Sequence, residues 1–150
     1  MSKSEDALRK RIVSILKNTE GIQSVKDRCS PIEYGIDITF ERKDPFGEYR
    51  LFGVQIKVGS ISPKKRVATK LIKEIVGQIS IAYGHQFPTS VGPQFLDGVY
   101  VVIDGEVNPF ADEIFSSARA GFRNTHLISA EKLTRFLKEG EAGINILKQT

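Results

Sequence analysis

The spacing of apolar residues predicts an α/β fold in which helices flank a mixed sheet, and three features carry that prediction. A helical stripe opens the chain, two alternating segments joined by turn chemistry follow it, and a near-continuous apolar run further on suits a strand buried on both faces. Helices and strands that alternate in this way stack as layers around one core.

Across residues 4–17, Leu8, Ile12, Ile15 and Leu16 fall on one helical face, with Ser2 or Ser4 able to cap the start. A short strand is expected over residues 22–26, after which Cys29-Ser30-Pro31 breaks the chain. Ile36, Ile38 and Phe40 alternate as a strand, Asp44-Pro45-Phe46-Gly47 supplies a turn, and residues 51–58 return as its partner. Beyond Ser62-Pro63, Leu71, Ile72, Ile75, Val76, Ile79 and Ala82 recur at helical spacing, giving a long amphipathic helix that ends near Gly84. Residues 86–94 read as a polar loop, and residues 95–103 as a central strand. Pro109 can start a third helix, His126-Leu127-Ile128 is a short strand, and Ser129 can cap a last helix through Leu133, Phe136 and Leu137. No repeat or linker interrupts this order, so residues 1–150 are read as one domain.

Composition narrows the function. With 150 residues and 40% hydrophobic content, folding hides roughly 68–70% of the unfolded chain's surface, enough for one sizeable core. Lys and Arg number 22 against 18 Asp and Glu, and the net charge of +4 leans towards a polyanionic partner. A single Cys29 and two distant histidines, His85 and His126, argue against a disulfide framework and against a Cys/His zinc site. The charged start and the lack of any apolar run of about 18 residues lead to the expectation of a soluble, cytoplasmic protein with no membrane partner.

The hairpin register sharpens the reading. If residues 44–48 form the loop, Ile36 faces Ile56, Ile38 faces Val54 and Phe40 faces Phe52, and a one-residue slip would mix the faces. The opposite face then places Asp37 across from Gln55 and Gly35 across from Lys57. A carboxylate, an amide oxygen and an ammonium converge there. A solvated hairpin face has similar residues, but Asp is disfavoured within strands and here is flanked tightly by Ile36 and Ile38.

The stretch Tyr34-Gly35-Ile36-Asp37-Ile38, followed by Phe52-Gly53-Val54-Gln55-Ile56-Lys57-Val58-Gly59, resembles the QxK branch of the PD-(D/E)XK nuclease superfamily, which includes Mrr-type restriction endonucleases. The resemblance covers residues 4–138 in element order, and His126-Leu127-Ile128-Ser129 with Glu131-Lys132-Leu133 is similar to the strand-to-helix ending of Mrr-type domains. It implies a restriction-endonuclease-like three-layer fold and a metal-dependent nuclease, expected to cut DNA in a restriction, defence or repair setting. Ile36 stands where the family name has Pro, and Gln55 replaces an acidic ligand, which removes one negative charge from the site.

By that resemblance Asp37, Gln55 and Lys57 are the catalytic set. Asp37, the Gln55 amide oxygen and the main-chain carbonyl of Ile56 would hold Mg²⁺, with Mn²⁺ as a substitute. Lys57 would orient or help deprotonate the attacking water. Glu5 is the candidate third acidic ligand, although Ser2-Lys3-Ser4-Glu5 also fits a capping box, and Glu33 is a weaker substitute. Lys64, Lys65 and Arg66 at the start of the second helix can meet a phosphate backbone, and Gln78 lies further along it. Cutting both strands would call for two active sites, hence a homodimer. The alternative is a nuclease-fold module with little activity that binds nucleic acid or a protein partner.

Overall fold

A computed structural model of the chain describes residues 3–28, 34–59, 65–105, 111–118 and 124–149. The elements run α1 (Lys3–Lys17), β1 (Ile22–Asp27), β2 (Ile38–Lys43), β3 (Tyr49–Val58), α2 (Lys65–Tyr83), β4 (Gln86–Thr89), β5 (Gly92–Phe95), β6 (Gly98–Asp104), α3 (Ala111–Ala118), β7 (Thr125–Ile128) and α4 (Ala130–Gln149). Among the described residues five strands form one sheet in the order β1-β2-β3-β6-β7, antiparallel from β1 to β3 and parallel from β3 to β7. The sheet is mixed, as the alternating and continuous apolar patterns predict, and helices lie on both of its faces.

Alternation along the strands divides the core in two. Ile38, Phe40, Val54, Ile56 and Val102 pack with Leu8, Ile12 and Leu16 of α1 and Leu133 of α4. On the other face, Leu51, Val99, Val101 and Ile103 pack with Ile72, Ile75, Val76 and Ile79 of α2 and Phe115 of α3. β6 feeds both layers because it lies between two parallel neighbours and is covered on each side.

The β2–β3 hairpin has the predicted register, with Ile38 against Val54 and Phe40 against Phe52. Its turn is tied by Asp44, whose Oδ1 accepts N–H bonds from Phe46 and Glu48, each at 2.9 Å. Three elements differ from the sequence reading. The expected loop over residues 86–94 is largely a second hairpin, β4–β5, whose Pro88 and Pro93 face each other in a sheet that has two strands among the described residues, with no further described neighbour on which to lose a ladder bond. Phe95, expected in the central strand, belongs to that hairpin. The last helix continues past Gly140 because the missing side chain lets α4 close on α1: a Cβ there would lie 2.5 Å from Ile15 Cγ2. Arg11 and Glu141 join the same pair of helices by an ion pair of 2.6 Å.

No helix among the described residues is long and apolar enough to cross a membrane. Pro109, expected to start the third helix, lies outside the described residues.

Candidate active site

The site grows from the point where β2 and β3 cease to pair. Their ladder ends at Ile38 and Val54, whereas β3 continues beside β6 through Val58. Just upstream, Tyr34 and Gly35 both have left-handed backbones, with φ of 57° and 78°. The chain therefore enters β2 out of phase with the simple alternation. Ile36 turns to the α2 side, where Gly53 leaves it room: a Cβ on Gly53 would lie 3.2 Å from Ile36 Cγ2. This corrects the expectation that Ile36 shares a face with Ile38 and Phe40 and opposes Ile56.

Asp37 is displaced with it. Its N–H donates to the Val54 carbonyl and its own carbonyl accepts from Arg28, both at 2.8 Å. The carboxylate does not sit across from Gln55 on the sheet face. It reaches along the plane of the sheet, and Oδ2 accepts the Ile56 N–H at 2.7 Å. The side chain thus replaces the ladder bond that β2 no longer supplies to β3. In an extended strand the N–H and C=O of one residue point to the same edge, so the Ile56 carbonyl faces the side on which Asp37 lies.

Gln55 and Lys57, two apart on β3, project towards the α2 face. Gln55 is 1% exposed, and its Nε2 donates to Gln78 Oε1 at 2.7 Å. Its Oε1 is buried without a hydrogen-bond partner among the described residues. A native protein rarely leaves such an acceptor unsatisfied, because desolvating it costs about 1–3 kcal/mol. Gly35 lies against this amide pair rather than across from Lys57: a Cβ there would meet Gln55 Nε2 at 2.8 Å and Gln78 Oε1 at 3.0 Å. The space expected over Lys57 is instead occupied, over Gln55, by Gln78.

Charge converges on Asp37 from two elements. Burial pushes its carboxyl above the ordinary carboxylate range; the Ile56 N–H opposes this, the negative charge of Glu5 adds to it, and Lys57 and Arg9 pull the other way. The first-helix carboxylate at Glu5 is therefore close enough for Asp37 to feel. Arg9, one turn on, is 3% exposed and pairs with Asp27 at 2.8 Å. Sequence reasoning missed Arg9, although a cation four residues after Glu5 and next to Leu8 on an apolar stripe was the available signal. It also missed Tyr34 and His85, whose rings meet at 4.5 Å beside Gly35.

Asp37, Gln55, Lys57, Ile56 and Gln78 thus gather around one end of β3, with Glu5 contributing its field from α1. Lys64 and Glu33 lie outside the described residues, and of Lys65 and Arg66 only the helical backbone at the start of α2 is described. A cavity of about 420 Å³ lies elsewhere, between α1, α4 and the sheet, lined by residues such as Ile12, Leu16, Phe40 and Leu133, and none of the candidate catalytic residues lines it.

Were a hard cation bound here, Asp37 would supply charge and the Gln55 Oε1 and the Ile56 carbonyl would supply neutral oxygens, the kind of ligand that Mg²⁺ prefers. No group of three or more His, Cys, Asp or Glu with metal-binding spacing occurs among the described residues, so the set depends on amide and main-chain oxygens. Comparison with family models, curated proteins and solved structures finds no match for this chain.

Proposed function

We propose that this protein is a Mg²⁺-dependent nuclease of the restriction-endonuclease-like fold, hydrolysing phosphodiester bonds in DNA in the cytoplasm. One observation carries the reading: a buried carboxylate is held on the Ile56 N–H, and the residues on either side of Ile56 are a lysine and a buried glutamine whose amide oxygen has no hydrogen-bond partner among the described residues. Asp37, Gln55 Oε1 and the Ile56 carbonyl would hold the ion, with Glu5 as a further acidic group. A divalent cation supplies charge neutralisation at a phosphoryl group and a more acidic bound water.

The chain's own residues have separable tasks. The Ile56 N–H fixes the Asp37 carboxylate through Oδ2. Gln78 Oε1 accepts from the Gln55 Nε2, and the Gln55 oxygen is the amide atom left without a partner among the described residues. Lys57 makes no salt bridge among the described residues, and its ammonium is left to orient a water and to counter charge developing on the phosphate. Lys64, Lys65 and Arg66 are assigned to the phosphate backbone. Cutting both strands would use a homodimer with one such site in each copy.

A second reading draws support from the absence of a three-carboxylate cluster among the described residues: a module that binds nucleic acid without cutting it. Incubating plasmid and single-stranded DNA with Mg²⁺ or Mn²⁺ separates the two. Cleavage by the wild type, lost in Asp37→Ala and Lys57→Ala, is the expected result; DNA binding with no cleavage under any metal would favour the binding module.

A further inference from the structure

Tyr34 is 43% exposed, and it is one of only two non-glycine residues with positive φ among those described. Holding a non-glycine residue in the left-handed region costs on the order of 1 kcal/mol or more, and persists where the surroundings over-determine it. The surroundings here form a chain of contacts running from the core to the surface. Arg28 lies 5.2 Å over the ring of Phe87, which is fully buried. His85 meets Phe87 edge-on at 4.9 Å, and Tyr34 lies against His85 at 4.5 Å with 54° between the rings. An apolar face is thereby fixed at the surface and backed by the core. Arg28 and the exposed Lys26 both reach the Pro88 carbonyl, at 3.3 Å each, so two cations stand beside the stack.

Its position relative to the site gives the platform a use. Gly35, the next residue, packs on the Gln55–Gln78 amide pair, and Asp37 is three residues from Tyr34, a separation of at most about 10 Å. That is within reach of a base next to a phosphodiester held at Asp37. Bases inside a duplex are already stacked on one another, so an aromatic platform is open to unpaired bases, and it accepts any of them because each has a π-face.

Resting on the nucleic-acid reading of the Asp37 site, we propose that Tyr34, backed by His85, is a base-stacking residue and that the site takes single-stranded or unpaired DNA. The chain contains no tryptophan, so Tyr34→Trp creates a single fluorescent reporter at the platform. The probe is an oligothymidylate strand in EDTA, compared with an abasic strand and with a duplex. The expected result is quenching of the Trp by the thymine strand and not by the abasic one, near wild-type affinity in Tyr34→Phe, and a loss of roughly 5- to 150-fold in Tyr34→Ala. Tyr34→Gly removes the ring while relieving the backbone, so its matching loss of affinity together with a stability no lower than wild type excludes a folding defect.

Wild-type affinity in both Tyr34→Ala and Tyr34→Gly, or an emission that bases do not change, overturns the proposal. Cleavage assays read the nuclease separately. Metal-dependent cleavage that is indifferent to Tyr34 sinks the stacking role alone, while Tyr34-dependent binding without cleavage supports it and sinks the hydrolytic reading.

Discussion

The two ends of β3 follow different rules. From Tyr49 to Val54 the strand is paired on its β2 edge throughout, and its α1/α4 face meets Phe40 and Ile38 in the apolar core. From Gln55 to Val58 β6 is the only strand partner among the described residues. At the first end, hydrogen bonding and burial agree, which makes for a rigid scaffold. At the second, the loss of β2 frees main-chain groups in a buried setting, and polar side chains gather to meet them. A ladder that stops inside the protein, rather than at its rim, creates an edge where a carboxylate, an amide and a carbonyl can be presented together.

The largest expected effect is on the paired end. Phe40→Ala should cost about 3–5 kcal/mol, by lost burial and the cavity left against Phe52 and Tyr100. Urea unfolding measures it, and activity per folded molecule should change little. At the open end the pattern should reverse. Lys57→Ala is expected to lower kcat roughly 10²–10³-fold while shifting stability by less than about 0.5 kcal/mol. A Lys57→Ala protein that cleaves normally would remove the distinction between the two ends.

Metal should stabilise the open end specifically. Mg²⁺ or Mn²⁺ at 100 times its Kd should raise unfolding free energy by about 2.7 kcal/mol, and Asp37→Asn should abolish the gain, as thermal melts with and without EDTA would show. The smallest effect concerns protons. Because burial raises the folded-state pKa of Asp37, the folded protein holds this proton more tightly than the unfolded chain. The stabilisation from protonated Asp37 is complete below the unfolded value and is lost as pH rises through the raised folded one. Asp37→Asn, which still offers an oxygen to the Ile56 N–H, should therefore become more stable relative to wild type as pH increases, with the difference fading in acid. A constant difference in urea midpoint across pH would show that the buried carboxylate carries no such penalty.

Much of the scaffold was legible in residue order. The stripes of α1 and α2, the alternation of the hairpin and the run at Val99–Ile103 each use a period that belongs to one kind of element. The β4–β5 hairpin was not, because Pro88 and Pro93 argue against a strand unless it is an isolated pair. The candidate set was legible as residue types on the chain, and its geometry was not. Strict alternation places Asp37 opposite Gln55, but Tyr34 and Gly35 turn the backbone before the strand begins.

The sequence by itself determined the α/β class, the pairing of Ile38 with Val54 and Phe40 with Phe52, and the nearness of Asp37, Gln55 and Lys57 to one strand end. These follow from local periodicity and turn chemistry, which act over a few residues. Only the tertiary structure decided that the Asp37 carboxylate lies in the sheet plane on the Ile56 N–H, that Gln78 rather than open space meets Gln55, and that Glu5 and Arg9 bring their charge from α1. Those outcomes depend on two left-handed residues and on the packing of helices against the sheet. Such contacts join residues far apart in the chain, and no local period encodes them.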